Sequence, residues 1–206
     1  MSAFKTEQEK FWAEEFGDDY IVRNQGSHLL ASNLNFFTKA LQQAGKIASC
    51  REFGANIGMN LKAVQLLYPS IALKGIEINE KASIELKALI GAENVHHGSI
   101  FDAPVDEKVE LSLIKGVLIH INPDMLQTVY QKLYDSSNKF ILIAEYYNPS
   151  PVTIPYRGNS DRLFKRDFAG EMMEKFSDVH LVDYGFAYRK DPAFPQDDIT
   201  WFLLKK

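Results

Sequence analysis

Short apolar runs alternate with segments of helical period from residue 47 to residue 144. The apolar runs predict buried strands, and the segments between them predict helices with one apolar face. Alternation of this kind is typical of a parallel sheet whose strands are joined by crossover helices. The pattern therefore predicts an α/β fold with a mostly parallel sheet as its central element.

Seven strands are predicted in total, and the last two follow a break in the pattern. They cover residues 48–53, 72–78, 95–97, 109–114, 139–145, about 180–188 and 199–204. Helix starts are indicated by Gly58, by Asn79 as a cap residue and by the cap and proline at Asn122-Pro123, and another helix resumes near Phe168.

An extra segment, residues 7–44, precedes the sheet and carries the aromatic residues Phe11, Trp12, Phe16 and Tyr20. These rings either form a packing stripe or belong to a lid that closes over a ligand and excludes water. We predict one structural domain, in which residues 1–44 form an N-terminal helical lid or cap and residues 45–206 form the main body.

Residues 146–166 break the alternation, because they are rich in Pro, Asn, Ser, Tyr and Arg. A connection this long and irregular is usually functional or disordered. Arginine pairs with phosphate or carboxylate, and tyrosine offers a ring and a hydroxyl, so the segment is a candidate substrate-side loop. The alternative is a solvated charged face. The candidate substrate-binding residues are Tyr146, Tyr147, Tyr156, Arg157 and Arg162.

Composition places the chain among ordinary globular proteins, since its 206 residues are 46% hydrophobic and 24% charged. No apolar run approaches the roughly 18 to 20 residues that cross a bilayer, and the first ten residues lack a secretory signal. We therefore expect a cytoplasmic protein without a membrane partner. A net charge of -4 argues against binding to nucleic acid. Oligomeric state is left open.

Cysteine and histidine usage limits the chemistry further. Cys50 is the single cysteine, which excludes an intrachain disulfide and a cysteine-based zinc cluster. The five histidines show no His-Glu-x-x-His spacing. We therefore expect no metal site.

The most informative motif is Glu52-Phe53-Gly54-Ala55-Asn56-Ile57-Gly58, which is followed by Glu77 at the end of the next predicted strand. Glycines let the backbone of such a turn pass close to a ligand. An acid that ends the next strand can accept hydrogen bonds from both ribose hydroxyls of a nucleoside. The motif predicts an adenosine-containing cofactor. It lacks the Gly-x-Gly-x-x-Gly pattern of NAD-dependent dehydrogenases, which is the alternative.

This motif, the alternating units and the terminal pair of strands resemble the class I S-adenosylmethionine-dependent methyltransferases. The resemblance covers residues 45–206, and Asn56 stands where the family has the central glycine of Gly-x-Gly-x-Gly. Asn is the residue other than glycine that best tolerates a positive φ. The resemblance implies a Rossmann-like sheet of seven strands, the last one antiparallel, with helices on both faces. It also implies S-adenosylmethionine as cofactor and S-adenosylhomocysteine as product.

The resemblance further implies a set of cofactor-binding residues. Glu52 and Gly54 would lie beside the methionine part of the cofactor, and Glu77 would hold its ribose. Apart from the resemblance, Arg23 is a candidate for the cofactor carboxylate because it follows the N-terminal aromatic segment. Ser99 stands where the family has an Asp that contacts adenine, and Asp102 is the alternative position of that acid. The complete set is Glu52, Gly54, Asn56, Gly58, Glu77, Ile78, Ser99, Ile100, Lys115, Gly116 and Arg23.

More narrowly, four stretches are similar to the methylases associated with pseudaminic acid biosynthesis. They are residues 6–12, 16–20, 115–120 and 197–202. This similarity implies a bacterial surface-glycan pathway and a small acceptor that is a sugar or its nucleotide-linked form. The alternative is a protein that binds the cofactor and acts as a regulator or scaffold of that pathway, without transferase activity.

We expect O-methylation of this acceptor, with N-methylation as the alternative. A hydroxyl acceptor would benefit from a general base, and two residues at predicted strand ends are candidates. His120 is the first choice and Glu145 the second, because both would lie at the carboxyl edge of the sheet. For His120 the structural alternative is a cap of the helix that follows.

Overall fold

The computed structural model describes residues 4–14, 17, 26–156, 158–159 and 161–206. Its centre is a seven-stranded sheet whose strands were all predicted, with ends that differ by one or two residues. The strands of this sheet are β1 (Ser49–Phe53), β2 (Ala72–Glu77), β3 (Val95–His97), β4 (Val109–Lys115), β5 (Ser137–Glu145), β8 (His180–Ala187) and β9 (Ile199–Lys205).

Strand order in the sheet is β3-β2-β1-β4-β5-β9-β8. The pairs formed among β1 to β5 are all parallel, whereas β9 runs antiparallel to both β5 and β8. The predicted Rossmann-like architecture with an antiparallel last strand is therefore confirmed. Strand order reverses at β1, because β2 lies on one side of β1 and β4 on the other, and a crevice opens at such a point.

Six α-helices lie among the described residues. They are α1 (Glu7–Ala13), α2 (Ser27–Ala40), α3 (Met59–Leu67), α4 (Glu80–Ile90), α5 (Leu126–Ser136) and α6 (Phe168–Lys175). The predicted starts of α3 and α4 are confirmed, since Gly58 precedes α3 and the Asn79 side chain accepts a hydrogen bond from the N–H of Ala82. The helix expected at residues 122–124 begins there as one 3-10 turn and continues as α5.

Two hydrophobic clusters cover the two faces of the sheet. One contains Phe37 of α2 and Leu61 of α3, and the other contains Tyr130 of α5 and Met172 of α6. Helices therefore lie on both faces, as predicted. Within residues 1–44, α2 belongs to this core, whereas α1 lies over the carboxyl ends of the strands, where its side chains line a cavity.

The predicted substrate-side loop contains a small hairpin. Strands β6 (Val152–Thr153) and β7 (Phe164–Lys165) pair antiparallel, and the N–H of Ile154 donates to the carbonyl oxygen of Leu163. Residues 157 and 160 lie outside the described residues. The hairpin brings residues 161–163 back towards the edge of the sheet.

No helix among the described residues is both long and apolar enough to span a bilayer. In the same part of the chain, no three His, Cys, Asp or Glu side chains are grouped as metal ligands. Cys50 is fully buried in β1.

Candidate functional site

A cavity of about 730 Å³ opens at the carboxyl ends of the parallel strands. Its floor consists of residues 54–57 of the glycine turn after β1, residues 77–79 at the end of β2 and residues 115–117 at the end of β4. Its cover consists of α1, Tyr156 and residues 161–163, of which Leu163 lines the cavity. Polar residues from the connection between β8 and β9 close one side.

Backbone geometry explains the composition of the glycine turn. Gly54 has a φ of 75°, and a Cβ there would lie 2.7 Å from Cγ2 of Val117. Asn56 has a φ of 48°, so the residue that replaces the expected central glycine does adopt the left-handed conformation. Gly58 has a φ of 83° and is the cap residue directly before α3. The backbone of the floor can therefore approach a ligand without side chains between them.

Glu77 ties this turn to the end of β2. Its carboxylate accepts hydrogen bonds from the N–H of Asn56 and from the N–H of Asn79, both at 2.7 Å. Burial raises the pKa of Glu77, and these backbone hydrogen bonds oppose the rise. A carboxylate has about four lone-pair sites, so Glu77 keeps acceptor capacity for hydroxyls of a ligand in the cavity.

Glu52 lies at the end of β1, beneath the turn. One carboxylate oxygen accepts a hydrogen bond from Nδ2 of Asn60 at 2.6 Å, and the other has no hydrogen-bond partner among the described residues. Burial raises the pKa of Glu52 to about 8, although Asn60 and Lys115 oppose the rise. Burial likewise lowers the pKa of Lys115. Of these groups, Asn60 and Lys115 line the cavity and Glu52 does not.

His120 also lines the cavity, and it lies between two aromatic side chains. Its ring centroid is 4.6 Å from that of Trp12 and 5.3 Å from that of Tyr156. Its Nδ1 is 2.6 Å from the carbonyl oxygen of Arg162. Because a carbonyl oxygen only accepts, Nδ1 carries the proton. Nε2 of the neutral ring is then an acceptor, and it has no hydrogen bond to the described residues.

The protonation state of His120 supports the same assignment. Burial lowers the pKa of His120 to about 4, against a smaller opposing contribution from the Arg162 carbonyl. The ring is therefore neutral at pH 7. A neutral imidazole with a free Nε2 can accept a proton from a group bound in the cavity.

Gln8 presents a second acceptor to the cavity. Its Nε2 donates to the carbonyl oxygen of Asp161 at 2.9 Å, which orients the amide. Its Oε1 is buried and has no hydrogen-bond partner among the described residues. The consecutive carbonyl groups of Asp161 and Arg162 thus orient Gln8 and His120. Within the described part of the chain, each side chain keeps one acceptor atom without a hydrogen-bond partner.

Glu145, the second candidate base, lies behind the cavity. Its carboxylate accepts hydrogen bonds from the N–H groups of Val117 at 2.9 Å, Leu118 at 2.8 Å and Ile119 at 3.4 Å. Burial raises the pKa of Glu145 to about 7, against these backbone hydrogen bonds and the Lys115 charge. Its hydrogen bonds to these three N–H groups hold the 3-10 turn that carries His120.

Helix α1 is fastened over the loop that follows β3. Thr6 caps the helix by accepting a hydrogen bond from the N–H of Glu9. The Glu9 carboxylate accepts from the hydroxyl of Ser99 and, at 2.7 Å, from the N–H of Lys5. The Lys5 ammonium group forms an ion pair with Asp102. These contacts place Glu9 in the wall of the cavity.

The structure brings most of the predicted residues together. Those that line the cavity are Gly54, Asn56, Glu77, Ile78, Ile100, Lys115, Gly116, His120, Tyr146 and Tyr156. Those that do not line it are Glu52, Gly58, Ser99, Glu145, Tyr147 and Arg162. Arg23 and Arg157 lie outside the described residues.

Tyr147 and Arg162 make contacts elsewhere. The ring of Tyr147 lies 5.9 Å from that of Phe202, and Nη1 of Arg162 is 2.5 Å from a carboxylate oxygen of Asp161. Arg162 thus contributes its backbone carbonyl to the site, where the sequence suggested its guanidinium group.

Several lining residues were missed by the sequence reasoning. They are Thr6, Gln8, Glu9, Leu29, Asn33, Asn60, Arg189, Gln196 and Asp197. Most belong to segments far in sequence from the glycine turn, and no local motif identifies them. The buried hydrogen bond of 2.8 Å between Gln196 and Asn33, for example, joins residues 163 positions apart.

Neither a protein-family model nor a curated protein matches the sequence. Solved structures do match in fold. The mitomycin 7-O-methyltransferase aligns with a TM-score of 0.68 and 15% identity over 98% of this chain, which spans only 61% of that protein. The 1,6-didemethyltoxoflavin-N1-methyltransferase of Burkholderia thailandensis, solved with S-adenosylhomocysteine, gives a TM-score of 0.73 and 12% identity over 96% of this chain and 86% of that one.

A third similar structure is the magnesium protoporphyrin IX methyltransferase of Synechocystis PCC 6803 with bound S-adenosylmethionine. It has a TM-score of 0.70 and 10% identity, and the alignment covers 100% of both chains. Identities this low establish shared architecture only. The chain therefore has the seven-stranded Rossmann-like fold of these methyltransferases.

Proposed function

We propose that the chain is an S-adenosylmethionine-dependent methyltransferase that methylates a hydroxyl oxygen of a small, sugar-derived acceptor. One observation carries the proposal. A single cavity is lined by Glu77 and the glycine turn, whose chemistry suits a nucleoside, and by His120, whose Nε2 can accept a proton from a hydroxyl.

The residues of the floor fit the cofactor. The missing Cβ of Gly54 leaves a cradle beside Val117, and Oδ1 of Asn56 is buried without a partner among the described residues. Glu77 would accept from the ribose hydroxyls, while Lys115 and Asp197 would pair with the carboxylate and ammonium groups of the methionine part. The bound cofactor would supply a methyl group carried by a sulfonium sulfur. The neutral thioether formed when this methyl group departs is an excellent leaving group.

The chain itself contributes alignment, exclusion of water and proton transfer. Trp12 and Tyr156 enclose His120 and keep its ring neutral by burial. Nε2 of His120 would accept the proton of the acceptor hydroxyl, while the bond that the methyl group gains to that oxygen replaces the one it loses to the cofactor sulfur. Glu145 acts through this residue, because its hydrogen bonds hold the turn from Val117 to His120.

The acceptor end favours a molecule with several hydroxyl groups. His120 and Gln8 each present a free acceptor atom, so two O–H donors can be satisfied there. Tyr146 and Tyr156 add ring faces and hydroxyl groups to the same region. A sugar has both O–H donors and apolar C–H faces. The resemblance to the pseudaminic acid-associated methylases adds support for a bacterial surface-glycan pathway.

The test is incubation with labelled S-adenosylmethionine and a pool of sugars and nucleotide-linked sugars, followed by mass spectrometry. We expect an acceptor that gains the mass of one methyl group. If the chain binds S-adenosylhomocysteine but transfers no methyl group to any pool member, a regulatory or scaffolding role replaces the proposal.

The His120→Ala variant tests the base once an acceptor is found. We expect turnover to fall by about 10²- to 10⁴-fold, because general base catalysis contributes that much. Affinity for S-adenosylhomocysteine should stay within about threefold, since His120 lies at the acceptor end. His28→Ala, at an exposed position of α2, is the matched control. Unchanged turnover in His120→Ala would remove His120 from the mechanism.

Glu145→Gln separates the two candidate bases. If Glu145 only holds the turn, its replacement lowers stability by about 1 to 3 kcal/mol and reduces turnover less than His120→Ala does. A stable Glu145→Gln variant with the larger loss of turnover would instead make Glu145 the base.

A further inference from the structure

We infer that Glu9 selects the nucleobase of the cofactor by accepting a hydrogen bond from the exocyclic amino group of adenine. The inference rests on the proposed function, because it assumes an adenosine-containing ligand in the cavity. It assigns binding to a residue of α1, outside the glycine turn and the strand ends.

The Glu9 carboxylate is buried in the cavity wall. The residue is 8% exposed, and its two oxygens are held by the Ser99 hydroxyl and the Lys5 N–H. These bonds use two of about four lone-pair sites, so each oxygen can accept one more hydrogen bond. A fixed, buried carboxylate with spare acceptor capacity suits a ligand that brings an N–H donor.

The surroundings of Glu9 fit a flat, apolar ring. Ile78, Ile100 and Phe101 line the cavity beside it, on the side of Glu77 that faces β3. On the other side of Glu77, Lys115 and Asp197 line the cavity with charged groups. A nucleoside whose ribose lies at Glu77 would therefore direct its base towards Glu9 and its charged substituent away from it.

Asp102, the acidic residue nearest to Ser99 in sequence, does not contribute a carboxylate to the cavity. Asp102 has a side chain that is 62% exposed, pairs with Lys5 and does not line the cavity. Glu9 thus supplies a carboxylate to the cavity wall beside Ser99, where the loop after β3 supplies none. The Ser99 hydroxyl orients it.

The competing explanation is that Glu9 only completes the start of α1. Glu9 is three residues after the cap residue Thr6, the spacing of a capping box, and such a glutamate fastens a helix end. That role predicts equal weakening of every ligand when Glu9 is changed. A role in base selection predicts a change in the preference between ligands.

The experiment compares two ligands in calorimetry: S-adenosylhomocysteine and S-inosylhomocysteine, which has an oxygen in place of the amino group. We expect the wild type to prefer the adenosyl compound by about 10- to 100-fold, since a carboxylate that loses its donor and faces an oxygen is penalised to that extent. In Glu9→Gln the preference should fall to about threefold or less, because an amide can also donate to that oxygen.

Glu7→Gln is the matched control, because Glu7 is an exposed glutamate of the same helix. It should keep the wild-type preference. Fluorescence of Trp12, which packs on His120, reports whether α1 stays in place in each variant. An unchanged preference in Glu9→Gln, or a wild type without preference, overturns the inference while the proposed function stands. A wild type that binds neither compound overturns both.

Discussion

The floor and the cover of the cavity are built in opposite ways. Hydrogen bonds of the floor join groups close in sequence, such as the Glu77 carboxylate and the N–H groups of Asn79 and Asn56, two and 21 residues away. Contacts of the cover are side-chain contacts over long separations, such as that of Gln8 with Asp161, 153 residues apart. The floor is a continuous part of the sheet edge, whereas the cover is held by a few separate contacts.

This difference assigns different tasks to the two regions. A floor of backbone N–H groups, glycines and buried carboxylates is set by the fold and suits a constant ligand. The aromatic and amide side chains of the cover adapt more easily to a particular acceptor, whereas Glu9 of the cover is the residue that we assign to the cofactor. We therefore expect changes in the floor to affect cofactor affinity and stability most strongly.

Replacement of Glu77 by glutamine should give the largest effect on cofactor affinity. Affinity for S-adenosylhomocysteine should fall by about 100-fold, because the charge-assisted hydrogen bonds that we propose Glu77 accepts from the ribose hydroxyls would be weakened. In the cover, Trp12→Ala should change the same affinity by about fivefold or less. Calorimetry on both variants makes the comparison, with Glu80→Gln at an exposed position of α4 as control. Equal losses in the two variants would contradict the division between floor and cover.

Replacement of Gly58 by alanine should destabilise the protein by about 2 to 4 kcal/mol, from backbone strain and from crowding. Its φ is 83°, and a Cβ would lie 2.6 Å from Cδ2 of Leu89 and 2.9 Å from Cδ1 of Leu86. Gly45→Ala is the control, since Gly45 has a φ of 67° but no atom within 4 Å of the added Cβ. It should cost about 1 kcal/mol from strain alone. Urea unfolding measures the free energy of unfolding of both variants. Equal losses would show that Leu86 and Leu89 move away from the added Cβ and relieve the crowding.

Stability should depend on pH through the buried Glu52 of β1. Burial raises the pKa of Glu52 from 4.5 to about 8 in the folded state, so the folded protein binds more protons than the unfolded chain between these values. The contribution of Glu52 to stability is therefore present below about pH 4.5 and is lost as the pH rises to about 8. Glu52→Gln, which resembles the protonated acid, should become more stable relative to wild type over this range.

Denaturant unfolding at several pH values measures this gain. Glu80→Gln, with an exposed side chain, provides the control and should show none. A constant difference between wild type and Glu52→Gln from about pH 6 to about pH 8 would mean that Glu52 is already ionised in the folded protein.

The floor was predictable because its chemistry is local in sequence. The glycine turn, Asn79 as a helix cap and Glu77 at a strand end each rest on residues within one strand and the adjoining turn. Apolar runs place the strands, and the carboxyl ends of parallel strands meet at one edge. Asn56 was also interpretable, because the left-handed conformation of its backbone depends on its own residue type.

The cover was less predictable because tertiary contacts determine it. A capping-box pattern at Thr6 and Glu9 indicates a helix start, and nothing local indicates that the glutamate reaches Ser99, 90 residues away. Tyr147 and Arg162 belong to the loop expected to bind substrate, yet their side chains contact Phe202 and Asp161. The roles suggested for Arg23 and Arg157 stay predictions, because these residues lie outside the described part of the chain.

Helix α1 contacts both ends of the cavity through neighbouring residues, with Glu9 on Ser99 and Gln8 on Asp161. One helix therefore covers both the region near Ser99 and the region near His120. If the products of the proposed transfer leave only after α1 moves, the rate of that movement sets an upper limit on turnover. Fast chemistry at His120 would then appear in the first turnover as a burst of methylated product.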